Sequence, residues 1–150
     1  MRIAITSDIH GNLTALQAVL ADIKLQKVDD IICLGDIVTL GPQPKEVLNT
    51  LKELNCVIIK GNHDAAVVDP EMAEEYEITE YLIPDLYWCR ERLTMEDLKL
   101  IEGFKTTHEM VLPNGVNVLF FHGSPISLID IIQATTEPEL LDKYFEGQKA

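Results

Sequence analysis

The chain has 150 residues, 47% of them hydrophobic, which is enough to bury one core and predicts a single domain over residues 1–150. Its formal net charge of −13 at pH 7 argues against nucleic acid as a partner, because sequence-independent binders neutralise backbone phosphates with lysine and arginine. No apolar run reaches membrane-spanning length, and Met1 leads into the first predicted strand without a signal peptide. Three cysteines without zinc or disulfide spacing predict reduced thiols, and these features together predict a cytoplasmic protein without membrane contact.

The first part of the chain alternates between predicted strands and helices. Buried strands are predicted at residues 2–7, 31–34 and 56–59. An apolar stripe over residues 13–25 (Leu16, Val19, Leu20 and Ile23) predicts a helix with Asn12 as its N-cap. Pro44 begins a second helix with the stripe Val47, Leu48, Leu51 and Leu54. This βαβαβ order predicts an α/β fold with parallel strands.

The middle of the chain changes to a helical pattern. Helices are predicted over residues 70–81 and 85–92, divided by Pro84, and Thr94 with Asp97 resembles a capping box for a further short helix. Most acidic residues here are expected to form a solvated helix face. Trp88 is expected to be a core aromatic, whereas Arg90 and Arg92 either pair with surface glutamates or contact a substrate phosphate.

Residues 106–121 carry the signal of a β-hairpin. Two strand-like runs, 106–112 and 116–121, flank Asn114-Gly115, which is typical of a tight turn with positive φ. This hairpin is expected to begin a second sheet. It places His108 on one strand, where we expect a structural role, and His122 at the end of the other, before a Gly-Ser-Pro loop that favours a functional role. A final helix is predicted from the stripe Leu140, Leu141, Tyr144 and Phe145.

Polar side chains follow each of the three parallel strands. Asp8 and His10 follow the first, Asp36 the second, and Asn62 and His63 the third. Because the carboxyl ends of parallel strands meet at one edge of a sheet, these side chains should gather there. Their oxygen and nitrogen donors suit borderline divalent cations such as manganese, iron or zinc. The convergence predicts metal-dependent phosphoester chemistry.

Other phosphate-binding folds fit the sequence less well. The first strand-to-helix turn lacks the glycine-rich cradle of a Rossmann fold, and no Gly-Lys-Ser or Gly-Lys-Thr follows any strand. The Asp8-Ile9-His10 segment also differs from the Asp-x-Asp of aspartyl-phosphate hydrolases.

Four motifs in order resemble one family. They are Ser-Asp-Ile-His-Gly-Asn at 7–12, Gly-Asp-Ile-Val at 35–38, Gly-Asn-His-Asp at 61–64 and His-Gly-Ser-Pro at 122–125. With Gly41-Pro42 and the neighbourhood of Trp88 to Arg90, they resemble the calcineurin-like metallophosphoesterases of the small bacterial and archaeal kind. The resemblance spans nearly the whole chain and implies a two-sheet sandwich flanked by helices.

The resemblance also implies a metal centre with two divalent ions. It assigns Asp8 and His10 to the first metal, Asp36 as a bridge between the two, and Asn62 with His122 to the second. Two cations about 3.5–4 Å apart can clamp a phosphate and lower the pKa of a bridging water. The implied reaction is hydrolysis of phosphomonoesters or phosphodiesters by metal-bound hydroxide, on small molecules or phosphoproteins, without a covalent intermediate.

Two further residues receive catalytic roles from the same resemblance. His63 is expected to stabilise the phosphoryl transition state or to protonate the leaving oxygen, and Asp64 to orient its ring. The alternative is a scaffolding or catalytically incomplete protein on the same fold. A retained His63 argues against a scaffold, which has no use for a proton donor beside a metal edge.

One departure from the family concerns the end of the sequence. The family pattern has a further Gly-His-x-His segment, but all four histidines (His10, His63, His108 and His122) precede it. Residues 147–150 resemble residues 26–28, which lead into a strand, so the domain is expected to be incomplete at its C-terminus. We therefore expect weak metal binding, low activity, and a homo-oligomer or poor solubility from an unpaired sheet edge.

Overall fold

The computed structural model describes residues 1–148 and contains two small sheets flanked by helices. A parallel sheet has the order β1-β2-β3, formed by Ile3–Thr6, Asp30–Cys33 and Val57–Ile58. An antiparallel hairpin joins β4 (Thr107–Val111) to β5 (Asn117–Phe121), with Gly115 at φ +81° in the turn. The predicted βαβαβ start and the second sheet are confirmed. Residues 147–150 were expected to lead into a further strand, and residues 149–150 lie outside the described part of the chain.

Six helices surround the sheets in the described part of the chain. They are α1 (Leu13–Gln26), α2 (Pro44–Leu54), α3 (Asn62–Val68), α4 (Ile83–Glu91), α5 (Met95–Glu102) and α6 (Pro138–Phe145). Two predicted caps are confirmed: Asn12 Oδ1 accepts from Ala15 N at 3.0 Å, and Thr94 and Asp97 form a capping box. Within residues 1–148, none of these helices has the length and apolarity needed to cross a bilayer.

The core has a large part and a small part. The large cluster packs α2, α3, α4 and α5 together, with buried residues such as Leu48, Val67 and Leu86 at its centre. The small cluster joins the two sheets, because Ile32 of β2 and Ile59 pack against Phe120 of β5. The expected two-sheet sandwich is therefore present, and it fixes the end of β5 relative to the ends of the parallel strands.

The predicted helix over residues 70–81 is wrong. Helix α3 starts earlier, at Asn62, and is followed by two 3₁₀ turns at Pro70–Met72 and Glu80–Leu82. The chain reverses at Glu77, whose φ of +56° lies in the left-handed region. The acidic residues of this stretch surround that reversal, and a regular helix cannot continue through it.

Strand β1 is less buried than its apolar sequence predicted. Ile5 is 56% exposed and Val19 of the neighbouring helix α1 is 45% exposed. Both line a groove of about 380 Å³ between β1 and α1. Strand β1 is the end of the parallel sheet, with a strand neighbour on one side within residues 1–148, so its apolar side chains remain open to solvent.

The three cysteines are free thiols, as predicted. Burial raises the pKa of Cys33 to about 11 and the pKa of Cys89 to about 12. A thiol with so high a pKa carries little thiolate, which makes it a poor nucleophile and a poor metal ligand. The chemistry of the site therefore falls to oxygen and nitrogen donors.

Candidate metal centre

The loops that follow β1 and β2 lie side by side. Asp8 N donates to Gly35 O at 3.0 Å, and His10 N donates to Asp36 O at 2.9 Å. Asp8, His10 and Asp36 have φ angles of 55°, 46° and 55°, in the left-handed region that side chains disfavour. Such strain costs roughly 1–3 kcal/mol for each residue. It persists where the surrounding structure holds the backbone in place, most often at functional sites.

A third loop, after β3, is joined to the loop after β2 by the buried carboxylate of Asp64. Asp64 Oδ2 accepts from Asp36 N at 2.8 Å and from Gly61 N at 3.0 Å, and Oδ1 accepts from Ile37 N at 2.9 Å. A Cβ at Gly61 would lie 2.0 Å from Asp36 Oδ1, so only glycine permits this approach. Asp64 therefore holds the loops together. The expectation that it orients the His63 ring is corrected, because its oxygens are taken by backbone donors.

Asp36 lies at the centre of the group and is 3% exposed. Its Oδ2 is 3.9 Å from His10 Nε2 and 3.8 Å from His122 Nε2, so one carboxylate oxygen stands between two imidazoles. Its Oδ1 accepts from His63 N at 3.0 Å. Burial and the charge of Asp64 raise the pKa of Asp36 to about 7. A nearby cation would stabilise the charged form of this buried carboxylate.

One set of donors forms around His122. Its Nδ1 donates to Leu34 O at 2.8 Å, so in the neutral ring Nε2 carries the lone pair. That Nε2 is 3.1 Å from Asn62 Oδ1, while Asn62 Nδ2 donates to Tyr76 O at 2.9 Å and so fixes the amide orientation. With the ring neutral, His122 Nε2 and Asn62 Oδ1 are both acceptors and lie beside Asp36 Oδ2, a donor set that fits a divalent cation.

A second set of donors forms around His10. One ligand atom from each of Asp8, His10 and Asp36 lies within 4.8 Å of the others, and His10 Nε2 is 3.8 Å from Asp8 Oδ1. The other ring nitrogen, Nδ1, lies 3.4 Å from Thr39 Oγ1. The Asp8 side chain is 57% exposed, so this set opens to solvent. Two carboxylates and an imidazole are also a donor set that divalent cations accept.

His10 and His63 are neutral near pH 7. Burial lowers the pKa of His10, and burial together with His10 and His122 lowers the pKa of His63 to about 4. The rings of His10 and His63 meet edge to face, with centroids 5.1 Å apart. Neutral imidazoles have the free lone pairs that metal binding requires.

The structure thus brings all the predicted ligand residues and His63 to one edge. The other histidine of the described chain, His108, lies on β4 with its ring 6.2 Å from that of Phe120. Sequence reasoning missed Thr39, which is 1% exposed and faces His10, because a single threonine in a loop carries no recognisable pattern. It also missed the carbonyl groups of Leu34 and Tyr76, since any residue type can supply a carbonyl.

The two arginines at the end of α4 do not form the predicted surface pairs with glutamates within residues 1–148. Arg90 donates to Val67 O and Val68 O and so satisfies carbonyls at the end of α3. Arg92 stacks over the half-buried Trp88 ring, with its guanidinium carbon 3.5 Å from the ring centroid. Both arginines support the helical layer, and neither is paired with a glutamate in the described chain.

Comparison with known proteins assigns the class. A sequence model of the calcineurin-like phosphoesterase family matches residues 1–147, so the chain belongs to that family. An uncharacterized protein of Methanocaldococcus jannaschii is 37% identical over 123 residues, which cover 82% of this chain and 49% of the relative. The chain therefore spans about half the length of this relative.

Solved structures agree with this assignment. A metallophosphoesterase from Sphaerobacter thermophilus is 36% identical, with a TM-score of 0.65 over 88% of this chain and 51% of that protein. A hypothetical protein from Pyrococcus horikoshii, 24% identical, has a TM-score of 0.81 over 96% of this chain and 64% of its own, a likeness of fold alone. The fold is that of metallophosphoesterases.

Proposed function

We propose that this protein hydrolyses phosphoester bonds, as a phosphomonoesterase or phosphodiesterase, at the edge formed by Asp8, His10, Asp36, Asn62 and His122. The observation that carries the proposal is the position of Asp36 Oδ2, which lies 3.9 Å from His10 Nε2 and 3.8 Å from His122 Nε2. A carboxylate that lies between two donor sets is suited to hold a pair of adjacent cations.

Asp8 and His10 would hold one divalent cation, Asn62 and His122 a second, and Asp36 both. Manganese, iron and zinc suit this mixture of carboxylate, imidazole and amide donors. When bound, two such cations neutralise phosphate charge and supply a nucleophilic hydroxide at neutral pH. The chain's own task is to hold the donors in place with free lone pairs, and the lowered pKa of His10 and the His122 bond to Leu34 support this.

His63 is the proposed contact to the reacting phosphoryl group. Its backbone N–H is anchored on Asp36 Oδ1 at 3.0 Å, and its ring packs against His10. With a pKa of about 4 in the metal-free protein, the neutral ring offers its N–H as a hydrogen-bond donor to a phosphoryl oxygen. Proton transfer to the leaving oxygen would require the protonated ring, a form that the negative charge of a bound phosphoryl group would favour. Small phosphoesters and phosphoproteins are the proposed substrates.

The test is hydrolysis of p-nitrophenyl phosphate and bis(p-nitrophenyl) phosphate with Mn²⁺, Zn²⁺ or Fe²⁺. His63→Ala should lower kcat by about 100-fold or more, the usual size of a general acid–base contribution. His108→Ala is the matched control, because it removes an imidazole from β4 and should keep parental kcat. A folded parent protein that hydrolyses neither ester with any of these metals would contradict the proposal and favour a binding or scaffolding role.

A further inference from the structure

The segment 39–41 presses against the backbone of His10. A Cβ at Gly41 would lie 2.0 Å from His10 O, so the two backbones are in direct contact. Thr39 Oγ1 lies 3.4 Å from His10 Nδ1. A movement of this segment would therefore shift the backbone and the ring of His10.

The same segment contains a strained backbone conformation that needs support from other parts of the chain. Leu40 has a φ of +66°, which costs a residue with a side chain roughly 1–2 kcal/mol. Its side chain is 40% exposed, so packing does little to hold it. A strained residue of this kind persists when hydrogen bonds from its surroundings determine its conformation.

Asp85 supplies such a bond from a distant part of the chain. Its Oδ2 accepts from Leu40 N at 2.7 Å, across 45 positions of sequence. Asp85 lies in the first turn of α4, where the helix start favours a carboxylate, and Cys89 Sγ donates to the same oxygen at 3.7 Å. Helix α4 is packed into the main core through Leu86 and Cys89. The carboxylate therefore stands on a rigid support.

We propose that Asp85 is a positioning residue of the metal centre. By accepting from Leu40 N, its carboxylate keeps Thr39 Oγ1 next to His10 Nδ1 and Gly41 in contact with the His10 backbone. His10 Nε2 is thereby kept facing Asp8 and Asp36, at 3.8 and 3.9 Å from their nearest carboxylate oxygens. The assignment rests on the proposed metal centre and adds a residue outside the donor sets.

The test measures Mn²⁺ affinity by calorimetry in Asp85→Ala, Asp85→Asn and the parent protein. Loss of an indirect support typically weakens a metal site by roughly 10–100-fold, so the alanine variant should bind about tenfold more weakly. Asparagine keeps an oxygen that can accept from Leu40 N and should bind within about twofold of the parent. Glu91→Ala, which removes an exposed carboxylate from the same helix, is the matched control and should also stay within about twofold.

A second measurement follows hydrogen exchange of the Leu40 amide in the metal-free protein. Protection should fall in Asp85→Ala and persist in Asp85→Asn. If the alanine variant does not fold, Asp85→Ser replaces it, because serine suits a first helical turn and is too short to reach Leu40 N. Neither measurement requires turnover.

The outcomes separate this assignment from the proposed function. Parental Mn²⁺ affinity in Asp85→Ala would overturn the positioning role alone. Equal losses in the alanine and asparagine variants would also overturn it, since charge rather than the Leu40 bond would then be responsible. A parent protein that binds no Mn²⁺ would overturn the metal centre and the positioning role together, whereas a protein that binds Mn²⁺ without hydrolysing esters would overturn the proposed function only.

Discussion

The backbone N–H of His63 donates to Asp36 Oδ1 at 3.0 Å, while Asp36 Oδ2 faces His10 and His122. One carboxylate therefore sets the proposed bridging position and the location of the proposed phosphoryl contact. Because the two roles share a side chain, a change at residue 36 should affect metal binding and catalysis together.

Asp36→Asn should strongly weaken metal binding while the protein remains folded. Asparagine can still accept from His63 N, but it lacks the charge that two cations need. We expect Mn²⁺ affinity to fall by about 100-fold or more, the upper end of the losses seen even for residues that only support ligands. Calorimetric titration measures this, and unchanged affinity would argue against the bridging role.

The same variant should change how the stability of the metal-free protein depends on pH. The pKa of Asp36 is raised to about 7 from an ordinary 3.8, so its contribution to stability is present below pH 3.8 and is lost as pH rises through 7. Asp36→Asn removes this loss. The difference in unfolding free energy, variant minus parent, should therefore increase between pH 4 and 7 in urea titrations with a chelator present. A flat difference would contradict the raised pKa.

Asp64→Ala should cost more stability than any other single substitution in the group. It leaves the N–H groups of Asp36, Ile37 and Gly61 without their acceptor, and each buried unsatisfied donor costs roughly 1–3 kcal/mol. We expect a loss of at least about 3 kcal/mol in urea denaturation at pH 7. Asp69→Ala, outside this cluster and the donor sets, serves as the control. A loss below about 1 kcal/mol in Asp64→Ala would show that the hydrogen bonds to Asp64 are not needed for stability.

Asp97 should contribute stability that disappears in acid. Burial acts to raise its pKa, but hydrogen bonds from Lys45 and Thr94 outweigh burial and hold the pKa at about 2. A folded-state pKa below the unfolded 3.8 gives stability that is present above pH 3.8 and is lost as pH falls through 2. Asp97→Asn should therefore cost about 2 kcal/mol at pH 7 and much less near pH 2.5. Equal costs at both pH values would indicate that packing, not charge, is responsible.

Ile5→Lys should reduce self-association. Ile5 is 56% exposed at the open end of the parallel sheet, beside the groove that Val19 also lines. Charged residues at sheet edges oppose strand-to-strand pairing. Size-exclusion chromatography should show the parent chain as an oligomer and the variant shifted toward monomer, with Leu25→Lys on exposed α1 unchanged. A monomeric parent would contradict the predicted homo-oligomer.

Local signals predicted local structure well. Asn12 and the Thr94–Asp97 pair were recognised as caps because their partners lie three positions away. The convergence of Asp8, Asp36 and Asn62 could also be predicted, since parallel strands impose it. The left-handed Glu77 could not, because nothing in an acidic run marks the residue at which a chain reverses.

Interactions between distant segments were beyond the sequence. Asp64 follows His63 directly and so suggested an imidazole partner. Its carboxylate oxygens instead accept from backbone N–H groups, two of which lie 27 and 28 positions away. Arg90 suggested a surface ion pair with a glutamate but donates to carbonyl groups 22 and 23 positions earlier. Backbone donors and acceptors exist at almost every residue, so sequence alone does not indicate which of them a buried charge will find.

The bond from His122 Nδ1 to Leu34 O spans 88 positions and connects the second sheet to the end of the first. A growing chain on the ribosome has Asp8, His10 and Asp36 long before it has His122. Only the donor set around His10 can form at that stage, so binding of the second proposed cation would wait until the hairpin has emerged and docked. If the proposed centre forms, a protein with a misplaced hairpin would therefore hold one ion instead of two.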